Sequence, residues 1–159
     1  MMDGDAVKTK ISLTQDESLS DAARGSLQNF VASLTVPQKV ELSAKGNREV
    51  RKLLSRDPSS LVARAIITSP RLAELDIMDY AASPVTHEEI LRAIGENREW
   101  MSNPKILSLI VANPKTPPPV ALRLMGRLSV NELGVLQRNA NASALVRREA
   151  KRLVQIKRG

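Results

Sequence analysis

From Leu19 the apolar residues recur at three- and four-residue spacings. Leu19, Ala22, Ala23, Leu27, Phe30 and Val31 form one stripe, which predicts an amphipathic helix capped by Ser18 or Ser20. Beyond Leu34 the pattern breaks into short runs, each closed by helix-stopping residues. Thr35, Pro37 and Gly46 frame one run, and Asn47 opens the next with Val50, Leu53 and Leu54. Ser59-Ser60 opens Leu61 to Thr68, and Leu72, Leu75, Ile77 and Met78 mark a further helix. Thr86 is the expected cap of the next, with Glu88 and Glu89 in its first turn, Ile90, Leu91 and Ile94 as its stripe and Gly95 as its stop. Asn103-Pro104 leads into Ile106 to Val111, Thr116 and Pro117 to Pro119 lead into Val120 to Leu128, and Ser129 caps Val130 to Arg138. A last helix is expected from Ser143 to Ile156. The result is about ten helices of roughly 8 to 14 residues on short connections, with no alternating strand pattern, so the expected class is all-α.

Five boundaries share one chemistry. Asp57-Pro58, Ser69-Pro70, Ser83-Pro84, Asn103-Pro104 and Asn113-Pro114 each set a small polar residue before proline. Proline pushes the preceding residue out of the helical region and suits the first turn of a new helix. A local echo adds to this, since Gly46-Asn47-Arg48-Glu49 resembles Glu96-Asn97-Arg98-Glu99. Short amphipathic helices cannot bury their own apolar faces, whereas stacked neighbours can, which is the logic of a solenoid. The expected organisation is a flexible tail over 1–17 and one helical-repeat domain over 18–159.

The stretch Val111-Ala112-Asn113-Pro114-Lys115-Thr116-Pro117, with Leu122 and Leu128 behind it, resembles the leucine-rich repeat variant unit. In that unit an Ala-Asn-Pro-x-Thr-Pro turn links two short helices. Asn139 to Arg148 is similar to the start of another such unit, and residues 35–156 resemble HEAT-like helical-repeat proteins, including bacterial ones. The resemblance implies a right-handed α-solenoid, a HEAT-like superhelix. Leucine-rich repeat variant proteins can carry an iron–sulfur cluster on a cysteine-rich segment. This chain has no cysteine, so that feature does not transfer.

The missing cysteine also excludes disulfides, thiolate metal sites and cysteine nucleophiles. A lone histidine, His87, excludes multi-histidine metal sites. No signal-peptide core and no membrane-length apolar run occurs, so a cytoplasmic protein is expected. The net charge of +7 is banded along the chain. Residues 35–70 hold 7 basic and 3 acidic groups, 71–102 hold 3 and 7, and 103–159 hold 11 and 2. Basic zones at 39–64 and 138–158 therefore flank an acidic belt.

His87-Glu88-Glu89 begins like a zincin helix, yet no second histidine exists to complete it, so it reads as a charged first turn. Glu74, Asp76 and Asp79 lack the spacing and turn glycine of a calcium loop. The seven glycines form no phosphate loop, and no serine sits in a nucleophile elbow. No catalytic constellation, cofactor site or metal site is expected. Asn97, Arg98 and Trp100 stand out because Trp100 is the sole tryptophan. It either fills a junction between helices, with Asn97 as a cap, or anchors a partner, a role in which Trp and Arg are over-represented. Arg48, Lys52 and Arg56 lie four apart on one helix face, with Arg51 beside them. Arg147, Arg148, Lys151, Arg152, Lys157 and Arg158 form the second basic set, with Arg147, Lys151 and Arg158 near one face opposite Leu145, Leu153 and Ile156.

The expected function is a non-catalytic protein–protein interaction module, an adaptor using an extended solenoid surface. The alternative is a nucleic-acid-binding HEAT-like protein using the two basic zones; the acidic belt and the scarcity of stacking aromatics oppose it. A membrane partner is opposed by the lack of aromatics on the C-terminal helix. No small-molecule substrate is evident.

Overall fold

Side-chain caps set most of the helix starts. The computed structural model describes residues 12–15 and 18–159, and among them finds eleven helices and no strand. Helix α1 (Asp21–Ala32) is capped by Ser20, whose Oγ accepts from Ala23 N. Helix α2 (Val36–Lys45) opens with a reciprocal capping box between Thr35 and Gln38. Asn47 caps α3 (Arg48–Leu54) through Val50 N, and Ser59 precedes α4 (Ser60–Ile67). Helices α5 (Glu74–Ala82), α6 (Glu88–Glu96) and α7 (Arg98–Met101) come next. Then come α8 (Pro104–Ala112) and α9 (Pro118–Met125), both with proline in the first turn. Ser129 and Ser143 cap α10 (Val130–Gln137) and α11 (Ala144–Arg158).

Three boundaries differ from the expectation. The cap of α6 is His87, whose Nδ1 accepts from Glu89 N, and not Thr86. Thr86 is buried and donates its hydroxyl instead to Tyr80 O at 2.7 Å. Gly95 does not stop α6, which runs on to Glu96. Gly95 is a packing glycine, because a Cβ placed there would sit 2.5 Å from Val120 Cγ1. The short α7 is an added turn of helix holding Trp100.

All five polar-proline boundaries fold the same way. The side chain before proline accepts the N–H two residues on: Asp57 from Ser59, Ser69 from Arg71, Ser83 from Val85, Asn103 from Lys105 and Asn113 from Lys115. Proline has no N–H, so this is the first donor the turn offers. Asn139-Ala140 closes in the same manner on Asn141 N at 2.9 Å. Thr116 repeats the bond made by Thr86, donating to the carbonyl of Ile110, again six residues back and at 2.7 Å. Asn113 also reaches the preceding turn: its Nδ2 donates to Ala81 O and Ser83 O, each at 2.8 Å.

Within the segment read as one helical-repeat domain, two compact units are distinguished, with the division between Asp76 and Ile77, inside α5. In the first, α3 packs on α1, α2 and α4, and α2 packs on α4. Leu27, Val31, Val50, Leu54, Val62 and Ile66 form its core. Asn47 ties in the described part of the N-terminal stretch, donating from Nδ2 to Ser12 O and Gln15 O and from its backbone to Leu13 O. The rest of the expected tail, 1–11 and 16–17, lies outside the described residues. In the second unit α6 packs on α7, α8 and α9, α9 on α8 and α11, and α10 on α11. Tyr80, Ile90, Ile94, Ile106, Ile110 and Leu133 are among its fully buried side chains.

Candidate partner-binding surfaces

The basic residues divide into those that hold the fold and those that face outward. Arg51, expected from the sequence to face a partner, belongs instead to the first group, because Asp76 and Gly46 draw it inward. It is 5% exposed, donates to both oxygens of Asp76 and to Gly46 O, and is not open to a partner. Other cations reach carbonyls at or just beyond helix C-termini, 26 to 29 residues earlier in the chain. Arg71 donates to Lys45 O at 2.6 Å, Arg123 to Gly95 O at 3.4 Å, Arg127 to Met101 O at 3.1 Å and Lys157 to Leu128 O at 2.8 Å. The three arginines satisfy carbonyls that a helix end leaves without a partner and place positive charge at the negative end of its dipole, whereas Lys157 holds the turn after α9. Lys39 is paired with Asp57.

The second basic zone is also partly engaged. Arg147 is half-buried, with its Nε enclosed. Arg152 donates to both oxygens of Glu149, at 3.0 and 2.6 Å. These hydrogen bonds hold the Glu149 carboxyl below its ordinary pKa and the Arg152 guanidinium above its own. Arg148, Lys151 and Arg158 are exposed. The buried stripe of α11 is Val146, Ala150 and Val154; Leu145 and Ile156, expected to face inward, are exposed, and Leu153 is half-buried.

Asn97 caps α7 by accepting from Trp100 N at 3.0 Å, and Trp100 is half-buried. Asn97 and Arg98 border a groove of about 420 Å³ together with Glu96, Arg123 and Arg127. Two of its arginines are held on backbone carbonyls as described, so its charge is largely structural. In the first unit Lys52 and Arg56 share a cleft of about 260 Å³ with Arg24 and Glu49, while Arg48 is exposed on the same helix.

A further surface was not singled out by the sequence. Helices α8 and α10 leave between them an open groove of about 450 Å³. Leu109, Ala112, Leu128, Val135 and Leu136 form its apolar lining, with Lys105 and Glu132 also along it. Val135 is 63% exposed, the largest value among the big exposed apolar side chains. A signal for it does exist in the sequence. Asp79, Leu109 and Val135 each stand four residues before a turn residue, Ser83, Asn113 and Asn139. That column changes from an acid to two hydrophobes where the groove lies.

Among the described residues no helix is long and apolar enough to cross a membrane. No family model, curated protein or solved structure matches the chain.

Proposed function

We propose that the chain is a non-catalytic protein-interaction module, built as an α-solenoid, whose second unit holds an amphipathic helix of a partner protein between α8 and α10. The solenoid reading is supported by bonds that recur from one helix pair to the next. Asn113 clamps the turn before it, and Arg123, Arg127 and Lys157 lie over carbonyls 26 to 31 residues earlier. Such nearest-neighbour bonding is what a stack of repeated helix pairs requires.

The apolar groove carries the functional reading. A helix of nine residues is about 13 Å long, so α8 offers room for roughly two turns of a partner helix. The occupant presents apolar side chains at i, i+3 or i+4 and i+7 against Leu109, Val135 and Leu136, as in other helix-in-groove complexes. Lys105 and Glu132 suit a partner with both signs of charge at its margins.

A nucleic-acid reading is favoured by one observation, the exposed Arg148, Lys151 and Arg158 on α11. It predicts salt-dependent binding of a fluorescent duplex that weakens in Lys151→Gln. The protein-partner reading is tested by selecting displayed peptides of about 14 residues, the length of four helical turns, on the full chain. Amphipathic helix-forming peptides should emerge, retained by the wild type and released by Val135→Glu. Peptides that bind both proteins equally would count against the groove.

A further inference from the structure

Outside the groove assigned to a partner helix, the first unit carries a second surface with its own chemistry. Arg24, Lys52 and Arg56 line one side chain-walled cleft between α1 and α3, completed by Gln28, Glu49 and an apolar floor that includes Leu27. Lys52 and Arg56 are four residues apart, a spacing at which like charges repel. Three other cations are relieved by carboxylates: Arg51 by Asp76, Lys39 by Asp57 and Arg152 by Glu149. Among the described residues neither Lys52 nor Arg56 has a carboxylate within ion-pair distance. Arg24 meets Asp21 only at 3.7 Å, between two exposed side chains, a contact that relieves little charge. Among the described residues that line this cleft of about 260 Å³, three cations thus stand with one carboxylate, Glu49.

We propose that this cleft binds a small organic phosphate, with the phosphate on Arg24, Lys52 and Arg56 and a hydroxyl or amino group of the ligand on Glu49. The two guanidinium groups match phosphate geometry as forks, and Lys52 adds a point charge. Gln28 supplies an amide donor. The cleft lies just below the range of roughly 300 to 1,000 Å³ typical of ligand pockets, which sets the ligand at the size of a sugar phosphate. Glu49 among the cations repels a continuous run of phosphates, so a free small molecule fits better than a nucleic-acid backbone. The inference is independent of the partner-helix reading, since the two surfaces share no residue.

The test is calorimetric titration of the full chain at low salt with ribose 5-phosphate, inorganic phosphate, ribose and a single-stranded oligonucleotide. Ribose 5-phosphate should bind saturably and more tightly than inorganic phosphate, and ribose should give no signal. Lys52→Gln and Arg56→Gln should each weaken the sugar phosphate by about tenfold or more, with circular dichroism unchanged. Glu49→Gln should erase the preference for the sugar phosphate over inorganic phosphate, and Arg148→Gln should alter nothing. Three results would overturn the proposal. They are no saturable binding up to about 10 mM, a range covering even weak ligands, equal affinity in all variants, or an oligonucleotide that binds far more tightly and depends on Lys52 and Arg56.

Discussion

Arg51 and Asp76 are joined inside the first unit by a forked contact: Nη2 lies 2.9 Å from Oδ1 and 3.0 Å from Oδ2, and Nε lies 3.3 Å from Oδ1. The remaining groups are satisfied too, because Arg51 Nη1 donates to Gly46 O at 2.8 Å and Asp76 Oδ2 accepts from Ala73 N at 2.9 Å. The pair fixes the start of α5 to the middle of α3. A buried pair of this kind is worth little against an apolar replacement of both partners, yet is costly to break on one side. Asp76→Ala is therefore expected to destabilise the first unit by about 3 to 5 kcal/mol. The double variant Arg51→Met, Asp76→Leu should recover most of that loss. Urea unfolding monitored by circular dichroism measures both. A single variant as stable as the wild type would mean that the pair does not hold these helices.

The turn chemistry gives a graded pair of substitutions. Asn113 makes three side-chain hydrogen bonds, to Ala81 O, Ser83 O and Lys115 N, whereas Asn139 accepts from Asn141 N alone. Asn113→Ala is expected to cost about 2 to 3 kcal/mol, since it leaves buried carbonyls without donors, and Asn139→Ala about 1 kcal/mol or less. Equal costs in thermal or urea unfolding would show that the clamp between successive turns contributes nothing.

Two glycines are expected to respond with opposite signs. An alanine at Gly95 would place its Cβ 2.5 Å from Val120 Cγ1, where α6 and α9 approach, whereas nothing lies within 4 Å of a Cβ at Gly134 in α10. Gly95→Ala should destabilise by about 1 to 3 kcal/mol through overpacking. Gly134→Ala should stabilise by about 0.5 to 1 kcal/mol through helix propensity and the unfolded chain. Melting temperatures decide it, and a stabilised Gly95→Ala would contradict the close approach of the two helices.

Glu149 is expected to titrate below the usual carboxylate value because Arg152 donates two hydrogen bonds to it. A depressed carboxylate contributes stability above its unfolded pKa and loses it as the pH falls through the folded one. The contact therefore matters near neutrality and fades only in acid, and solvent screening at the surface keeps its contribution small. Carboxyl chemical shifts against pH should place Glu149 below an unpaired glutamate, and Arg152→Gln should return it to the ordinary value. An unchanged titration in that variant would dismiss the pairing.

Local chemistry was legible in the sequence and tertiary pairing was not. The caps at Thr35, Asn47, Ser129 and Ser143, and all five polar-proline turns, are written in neighbouring residues, so spacing alone locates them. Thr86 and His87 are adjacent and both chemically fit to cap α6; only the carbonyl of Tyr80 above Thr86 decides between them. Arg51 and Lys52 look equivalent on α3, and Arg51 turns inward because Asp76, 25 residues later, comes to meet it. Leu109 and Val135 read as ordinary core positions within their own helices. That they line an open groove is a consequence of the spacing of α8 and α10, which no short window of sequence records.

The most direct test of the partner-helix reading is an amide nitrogen–proton spectrum of the full chain, recorded with and without the tightest displayed peptide. Shifts should concentrate on residues 105–112 and 128–139, with the peptide becoming helical as it binds, and they should vanish in Val135→Glu. Shifts centred on the basic face of α11, or a peptide bound with no helical signature, would contradict a groove between α8 and α10 built to hold a partner helix.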